Sequence, residues 1–259
     1  MQNGRFQLYY QPKVDAHSLE VVGFEALLRL QNRQGAVSQP SFLPVLYQHG
    51  LSKTIDFRVI DLAIDDLLYW RSIGLSVPPI AINFDKAFLL DTQAVRTFLK
   101  RASYHCILFD IEHTITTEIN ALAAVISRIR AAGHRVAIDD FGAGYSSLTS
   151  LLAVEVDEIK LDRQLVVPPT TQEKRGELLL KSSVKLCHDL GFLVVAEGIE
   201  TRQHFKRAQR CGVDILQGYY LDRPMSHHQM TQYLADSWFR PTHPELRPQT
   251  AYRVDRLTL

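Results

Sequence analysis

Apolar residues in this chain gather in short runs, with longer segments of helical spacing between them. Eight runs have strand length: FQLYYQPKV, EVVGFEALLRL, PPIAINF, CILFDIEHT, RVAIDDFG, EIKLDRQLV, FLVVAEGIE and ILQGYYLDRP. The first leads through Asp15, Ala16 and His17 into the second, which predicts a hairpin. Segments such as DFRVIDLAIDDLLYWRSIG, DTQAVRTFLKRAS, TEINALAAVISRIRAAG, GELLLKSSVKLCHDLG and TRQHFKRAQRCG repeat apolar residues every three or four positions, as helices with one buried face do. Gly74, Gly133, Gly191 and Gly212 end helix candidates just before the next strand. Strands alternating with helices predict an α/β fold with a largely parallel sheet. Eight strands fit a closed TIM-like (β/α)8 barrel better than an open sheet, the hairpin start making one strand antiparallel. The barrel is expected over residues 1–240, and the proline-containing 241–259 segment is expected to be a tail or a strap along it.

Composition adds exclusions. With 259 residues, 46% hydrophobic and 22% charged, the chain can bury a full-sized core. A net charge of +1 gives no reason to expect a polyanion-binding surface, so duplex nucleic acid is not favoured as a partner. No apolar run approaches a membrane span, and MQNGRFQLYYQPKV lacks the order of a signal peptide, so a cytoplasmic location is expected. The three cysteines form no CxxC pair and read as reduced structural residues.

In a parallel barrel, chemistry collects where strands end and the following loops begin. At those ends stand Asn83, Glu112, Asp139, Asp140, Lys160, Glu197, Glu200 and Gln217, and Glu25 completes the set. One buried acid is ordinarily half of a structural ion pair. Several acids from separate strands on one rim are harder to explain so, and adjacent Asp139 and Asp140 raise each other's pKa unless a cation stands between them. Uncompensated, such carboxylates repel by on the order of several kcal/mol. Lys160 alone is too little to neutralise them. An oxygen-rich set without Cys or a His pair suits Mg²⁺ or Mn²⁺ over Zn²⁺. Two such ions would fit a phosphoryl-group hydrolase, where attacking and leaving oxygens are both stabilised.

These residues resemble the EAL-domain family of cyclic-di-GMP phosphodiesterases. FEALLRL is similar to the signature that names it, and YYQPKV, AIDDFGAGYSSL, DEIKLD, VVAEGIET and QGYYLDRP follow its other blocks in order, from about Phe6 to Phe239. The resemblance implies hydrolysis of cyclic di-GMP to linear pGpG with two Mg²⁺ or Mn²⁺ ions. It implies Glu25, Asn83, Glu112 and Asp139 as ligands of the first metal and Asp139 with Asp140 as ligands of the second. Glu200 joins the metal set, while Glu197 is the general base or a second-metal contact. Lys160 would orient a metal-bound water or stabilise charge on phosphate. Arg29 would grip a substrate phosphate, as a planar guanidinium does, with Gln11 and Gln217 lining the substrate site. The loop carrying Phe141, Gly142, Gly144 and Ser146 would couple the site to a homodimer interface. An N-terminal sensory or GGDEF module is either absent from the protein or lies outside this stretch of sequence.

The fourth strand departs from the family pattern of acid-x-Thr-acid. In DIEHTITTE the ligand is Glu112 in one register, which puts Ile115 where the loop-bracing acid belongs, or Asp110 in another. The alternative function is that of a catalytically weak or inactive EAL domain acting as a cyclic-di-GMP receptor or protein-binding regulator. Degenerate members tend to lose the named glutamate or the paired aspartates, and both are present. A protein kinase is disfavoured because GHRVAIDD is no HRD catalytic loop. GAGYSS lacks the rest of a dinucleotide fingerprint, and no GxSxG nucleophile elbow occurs.

Overall fold

The alternation that starts at Phe6 resumes at Val21, and these two runs form the hairpin from which the barrel is built. A computed structural model of the chain describes residues 5–31, 37–38, 42–114, 119–143, 151–152 and 154–236. The strands are β1 (Arg5–Asp15), β2 (Val21–Gln31), β3 (Val37–Ser38), β4 (Ile80–Asn83), β5 (Phe109–Thr114), β6 (Arg135–Phe141), β7 (Glu158–Leu161), β8 (Leu193–Ala196), β9 (Ile215–Leu216) and β10 (Met225–Ser226). The helices are α1 (Leu43–Gln48), α2 (Ser52–Ser72), α3 (Lys86–Leu89), α4 (Thr92–Tyr104), α5 (Ile119–Ala131), α6 (Arg163–Val166), α7 (Glu173–Asp189), α8 (Arg202–Arg210) and α9 (His227–Ala235).

From β2 through β4, β5, β6, β7 and β8 to β9 the strands run parallel, each paired with the next. β1 closes the ring. It lies antiparallel to β2 from Arg5↔Gln31 to Val14↔Val21, and antiparallel to β9 at Val14↔Leu216 and Asp15↔Ile215. The result is an eight-stranded mixed barrel with one antiparallel strand, extended at its margins by β3 on β2 and β10 on β1.

Apolar residues of the strands meet the buried faces of the helices, with Ile60 and Ile64 from α2, Val95 and Phe98 from α4, and Leu180 and Val184 from α7. Gly74, Gly133, Gly191 and Gly212 follow their helices with φ between 77° and 91°, as their stop-signal placement predicts. The loops after the strands are stiffened by caps. Asp85 accepts from Ala87 N at α3, Asp162 from Gln164 N at α6, and Thr201 from His204 N at α8. The 241–259 segment lies outside the described residues. Among the described residues, no helix is long and apolar enough to cross a membrane.

Strand alternation also sends a polar set to the inside. Glu158 and Lys160 alternate with Ile159 and Leu161, and Asp110 and Glu112 with Phe109 and Ile111. Lys13 of β1, Glu112 of β5 and Lys160 of β7 touch although their strands are not neighbours, so they meet across the barrel interior.

Candidate active site at the strand ends

Adjacent residues of a regular strand point to opposite faces, so two neighbouring aspartates cannot both reach one site without a break in the pattern. The break is a bulge in β6. Ile138 pairs with Ile159 and Phe141 with Leu161, so Asp139 and Asp140 together oppose Lys160 alone. Asp140 takes a φ of 53°, a left-handed conformation that Asp tolerates better than most residues. Its amide donates to Asp139 Oδ1 at 2.9 Å. Carboxylate oxygens of Asp139, Asp140 and Glu197 consequently lie within 4.8 Å of one another.

Lys160, 1% exposed, is the centre of the charge distribution. Its Nζ stands 2.6 Å from Glu112, 2.7 Å from Glu197, 3.3 Å from Asp139 and 3.6 Å from Glu25. Burial alone would lower its pKa, but these carboxylates hold it well above the usual lysine value. Burial pushes Glu197 up to about 8 against the pull of Lys160, with repulsion from Asp139 and Glu25 adding to the rise. Glu25 and Asp139 are raised for the same reasons, burial first. Glu112 goes the other way: burial would raise it, but Lys13 and Lys160 bring it down to about 2. One ammonium among four carboxylates leaves the rim short of positive charge. The donors there are carboxylate and amide oxygens, which suit a hard divalent cation.

Polar neighbours fix Glu25. Asn83 Nδ2 donates to its Oε1 at 2.8 Å and Gln217 Nε2 to its Oε2 at 2.6 Å. Gln11, opposite Glu25 in the β1–β2 ladder, accepts from the same Gln217 amide at 3.4 Å and donates to the Asp222 carbonyl at 3.2 Å. The segments carrying Glu197 and Gln217 are laced together: Ile199 N donates to Gln217 O at 3.1 Å and Tyr220 N to Ile199 O at 2.8 Å. Gly218 permits this approach, since a Cβ there would lie 2.2 Å from the Ile199 carbonyl oxygen. A cavity of about 270 Å³ opens over Glu25, Asp139, Lys160, Glu197 and Gln217.

Two expected residues, Glu200 and Arg29, stand apart from this cluster. Glu200 lines the cavity, but its carboxylate accepts from Arg163 at 2.6 Å and lies outside the Asp139–Asp140–Glu197 group. Arg29 faces a second cavity of about 200 Å³, with its guanidinium 5.9 Å from the Tyr9 ring centre. Asn83 lines that second cavity while bonding to Glu25 in the first. Asp110 lies further from the strand end than Glu112: it pairs in register with Ala81, whereas Glu112 pairs with Asn83, and its charged neighbours are Lys13, Glu158, Arg135 and Glu112. Phe141 is buried at the end of β6, and Gly142 takes a φ of 99°. Gly144 and Ser146 lie outside the described residues.

Two residues escaped the sequence reading. Lys13 is the second buried lysine, and its signal was the shared strand face with Gln11, two residues earlier. Asp56 lies on the apolar side of α2 among Ile55, Val59 and Ile60, where a carboxylate is out of place. It faces the second cavity, and burial pushes it up to about 8 although it accepts from Asp85 N at 3.1 Å.

The barrel with its antiparallel first strand, and an acidic site on the ends of its parallel strands, define a class: TIM-type barrels that place their chemistry at the strand ends. Within that class the chain belongs to the EAL domain family of cyclic-di-GMP phosphodiesterases, which it matches over residues 1–224. It is 34% identical to the bifunctional diguanylate cyclase/cyclic di-GMP phosphodiesterase MucR of Pseudomonas aeruginosa, over 88% of this chain and 34% of that protein. It is 32% identical to the cyclic di-GMP phosphodiesterase RocR of the same organism, over 92% of this chain and 62% of RocR. The chain thus spans about a third of MucR and under two thirds of RocR. Among solved structures, the MucR phosphodiesterase in complex with c-di-GMP aligns with a TM-score of 0.79 and 30% identity, covering 87% of this chain and 94% of that one. BlrP1 of Klebsiella pneumoniae, with manganese and c-di-GMP, aligns with a TM-score of 0.72 and 29% identity, covering 86% and 56%.

Proposed function

We propose that this chain hydrolyses cyclic di-GMP to linear pGpG in a reaction that depends on Mg²⁺ or Mn²⁺. The observation that carries the reading is the buried Lys160 among four carboxylates, with the bulged Asp139–Asp140 pair beside Glu197. The donor set fits two divalent ions, held by Glu25, Asn83, Glu112, Asp139 and Asp140. Bound there, they would supply an activated water and charge stabilisation at the phosphate. With the ions bound and its own proton released, Glu197 would take a proton from the attacking water, and the ammonium of Lys160, 2.7 Å away, would face charge developing on the phosphoryl oxygens. Arg29 would hold the second phosphate. The neighbouring cavity, which Asp56 lines, would receive a guanine. Service within a longer signalling protein, and as a homodimer, belongs to the same proposal.

A second reading, binding of the cyclic dinucleotide without turnover, is favoured by one observation: both oxygens of Glu112 are already engaged by lysines. The deciding experiment is incubation of the purified protein with cyclic di-GMP and Mg²⁺ or Mn²⁺, with chromatography for pGpG, beside Glu25→Ala. Product that disappears in the variant supports the phosphodiesterase. Retained binding without product under either ion would establish the receptor instead.

A further inference from the structure

Beneath the rim, a continuous row of charges runs from Lys160 and Glu112 down to Lys13, Glu158 and Arg135, three residues that the reaction outlined above does not use. Arg135 pairs with Glu158, whose other oxygen lies 3.3 Å from Lys13 Nζ. Lys13 Nζ is in turn 2.7 Å from Glu112 Oε1, and Glu112 Oε2 is 2.6 Å from Lys160 Nζ. Lys13, Glu112 and Lys160 are each no more than 2% exposed, and their strands contact one another only across the interior. A carboxylate bound to a single ammonium can rotate about its side-chain torsions. One gripped at both oxygens, from opposite strands, cannot do so without breaking a buried ion pair. Such a break is costly because it strands a charge away from water.

We propose that Lys13 is a positioning residue: by clamping Glu112 from below, it fixes the carboxylate that aims the Lys160 ammonium at Glu197 and Asp139. Lys13 pairs with neither Glu197 nor Asp139 and reaches the site only through Glu112. The proposal rests on the phosphodiesterase reading for its catalytic consequence, but the clamp itself does not. Lys13 is held in its own place by Glu158, which keeps Arg135 as a partner when Lys13 is replaced.

The test begins without metal or substrate. Buried, ion-paired ammonium groups exchange slowly enough to be followed through their ¹⁵Nζ resonances. Lys13→Met is expected to remove one such resonance and to shift or broaden that of Lys160. With metal and cyclic di-GMP, kcat is expected to fall about 10- to 100-fold, the range for loss of a partner that orients a site ligand, with KM changed less than about threefold. Lys13→Met combined with Glu112→Gln is expected to be no slower than Glu112→Gln alone, because residues acting in series are not additive. Should Lys13→Met fail to fold, Lys13→Met with Glu158→Gln removes a buried charge of each sign and carries the same readouts. An unchanged Lys160 resonance in the folded variant overturns the clamp, whatever the activity. Additive losses in the double variant overturn the route through Glu112. A wild-type protein that shows the resonance change on substitution but no turnover would refute the phosphodiesterase reading and leave the clamp standing.

Discussion

Opposite shifts in neighbouring carboxylates give the protein a pH response whose sign can be worked out. Glu112, brought down to about 2, contributes stability above the ordinary carboxylate range, and this is lost as pH falls from that range toward 2. Glu197 and Asp56, pushed up to about 8, keep protons in the folded state that the unfolded chain has released. Their effect is to lower stability as pH rises from the ordinary range to about 8. Without divalent ions, the melting temperature is therefore expected to fall between about pH 5.5 and pH 8.5, and added Mg²⁺ or Mn²⁺ to raise it more at the higher pH. Differential scanning fluorimetry across that range checks it; an ion-induced shift that is larger at low pH would contradict the charge balance. Asp140 offers a second test, because its φ of 53° suits Asp and Asn but not Ala. Asp140→Asn should keep near-native stability, with Asp140→Ala about 1 kcal/mol below it in urea denaturation. Equal stabilities would show that the bulge carries no backbone strain.

At the level of the elements, the site depends on how closely two loops approach each other. The backbone of Ile199 fits against Gly218 with no room for a Cβ, so Gly218→Ala must separate the segments that carry Glu197 and Gln217. A loss of about 1–3 kcal/mol in unfolding free energy is expected, as for other overpacked positions, together with a steep loss of turnover. Full stability in that variant would mean that the loops can part freely. The strands and long helices were legible in the sequence because their periods are strong: helix candidates 56–74, 91–103 and 176–191 overlap α2, α4 and α7. So was the gathering of Asn83, Asp139, Lys160 and Glu197, which follows from their standing at or near strand ends, while Glu25 joins them from inside β2. The bulge was not legible. Adjacent aspartates announce charge, but only the pairing of β6 with β7 shows that one extra residue sets both opposite Lys160 in the ladder. Nor was the engagement of Glu112 by Lys13, since contacts across a barrel join strands far apart in sequence. Glu200 shows the reverse limit, for a strand-end acid can still be claimed by a neighbour such as Arg163.

Closure of the whole molecule rests on β1, which pairs with β2, β9 and β10 and so turns an open parallel sheet into a ring. Its buried Tyr10 also donates to Asp66 of α2 at 2.6 Å, tying the ring to the helical layer. Amides of β1 are accordingly expected among the slowest to exchange with deuterated solvent. A chain beginning at Val21 would expose unpaired edges on β2 and β9 and is expected to aggregate. Rapid exchange along β1 would show that the barrel closes elsewhere. The extra residue of β6 has one more consequence, which reaches past this protein to its descendants. Pairing on either side of it, Ile138 with Ile159 and Phe141 with Leu161, keeps its frame. Loss of a single aspartate codon would restore an even ladder, leave Ile138 and Phe141 in their apolar surroundings, and keep one acid facing Lys160. The barrel would survive while half of the acidic pair vanished, so three nucleotides are enough to undo the pair without undoing the fold.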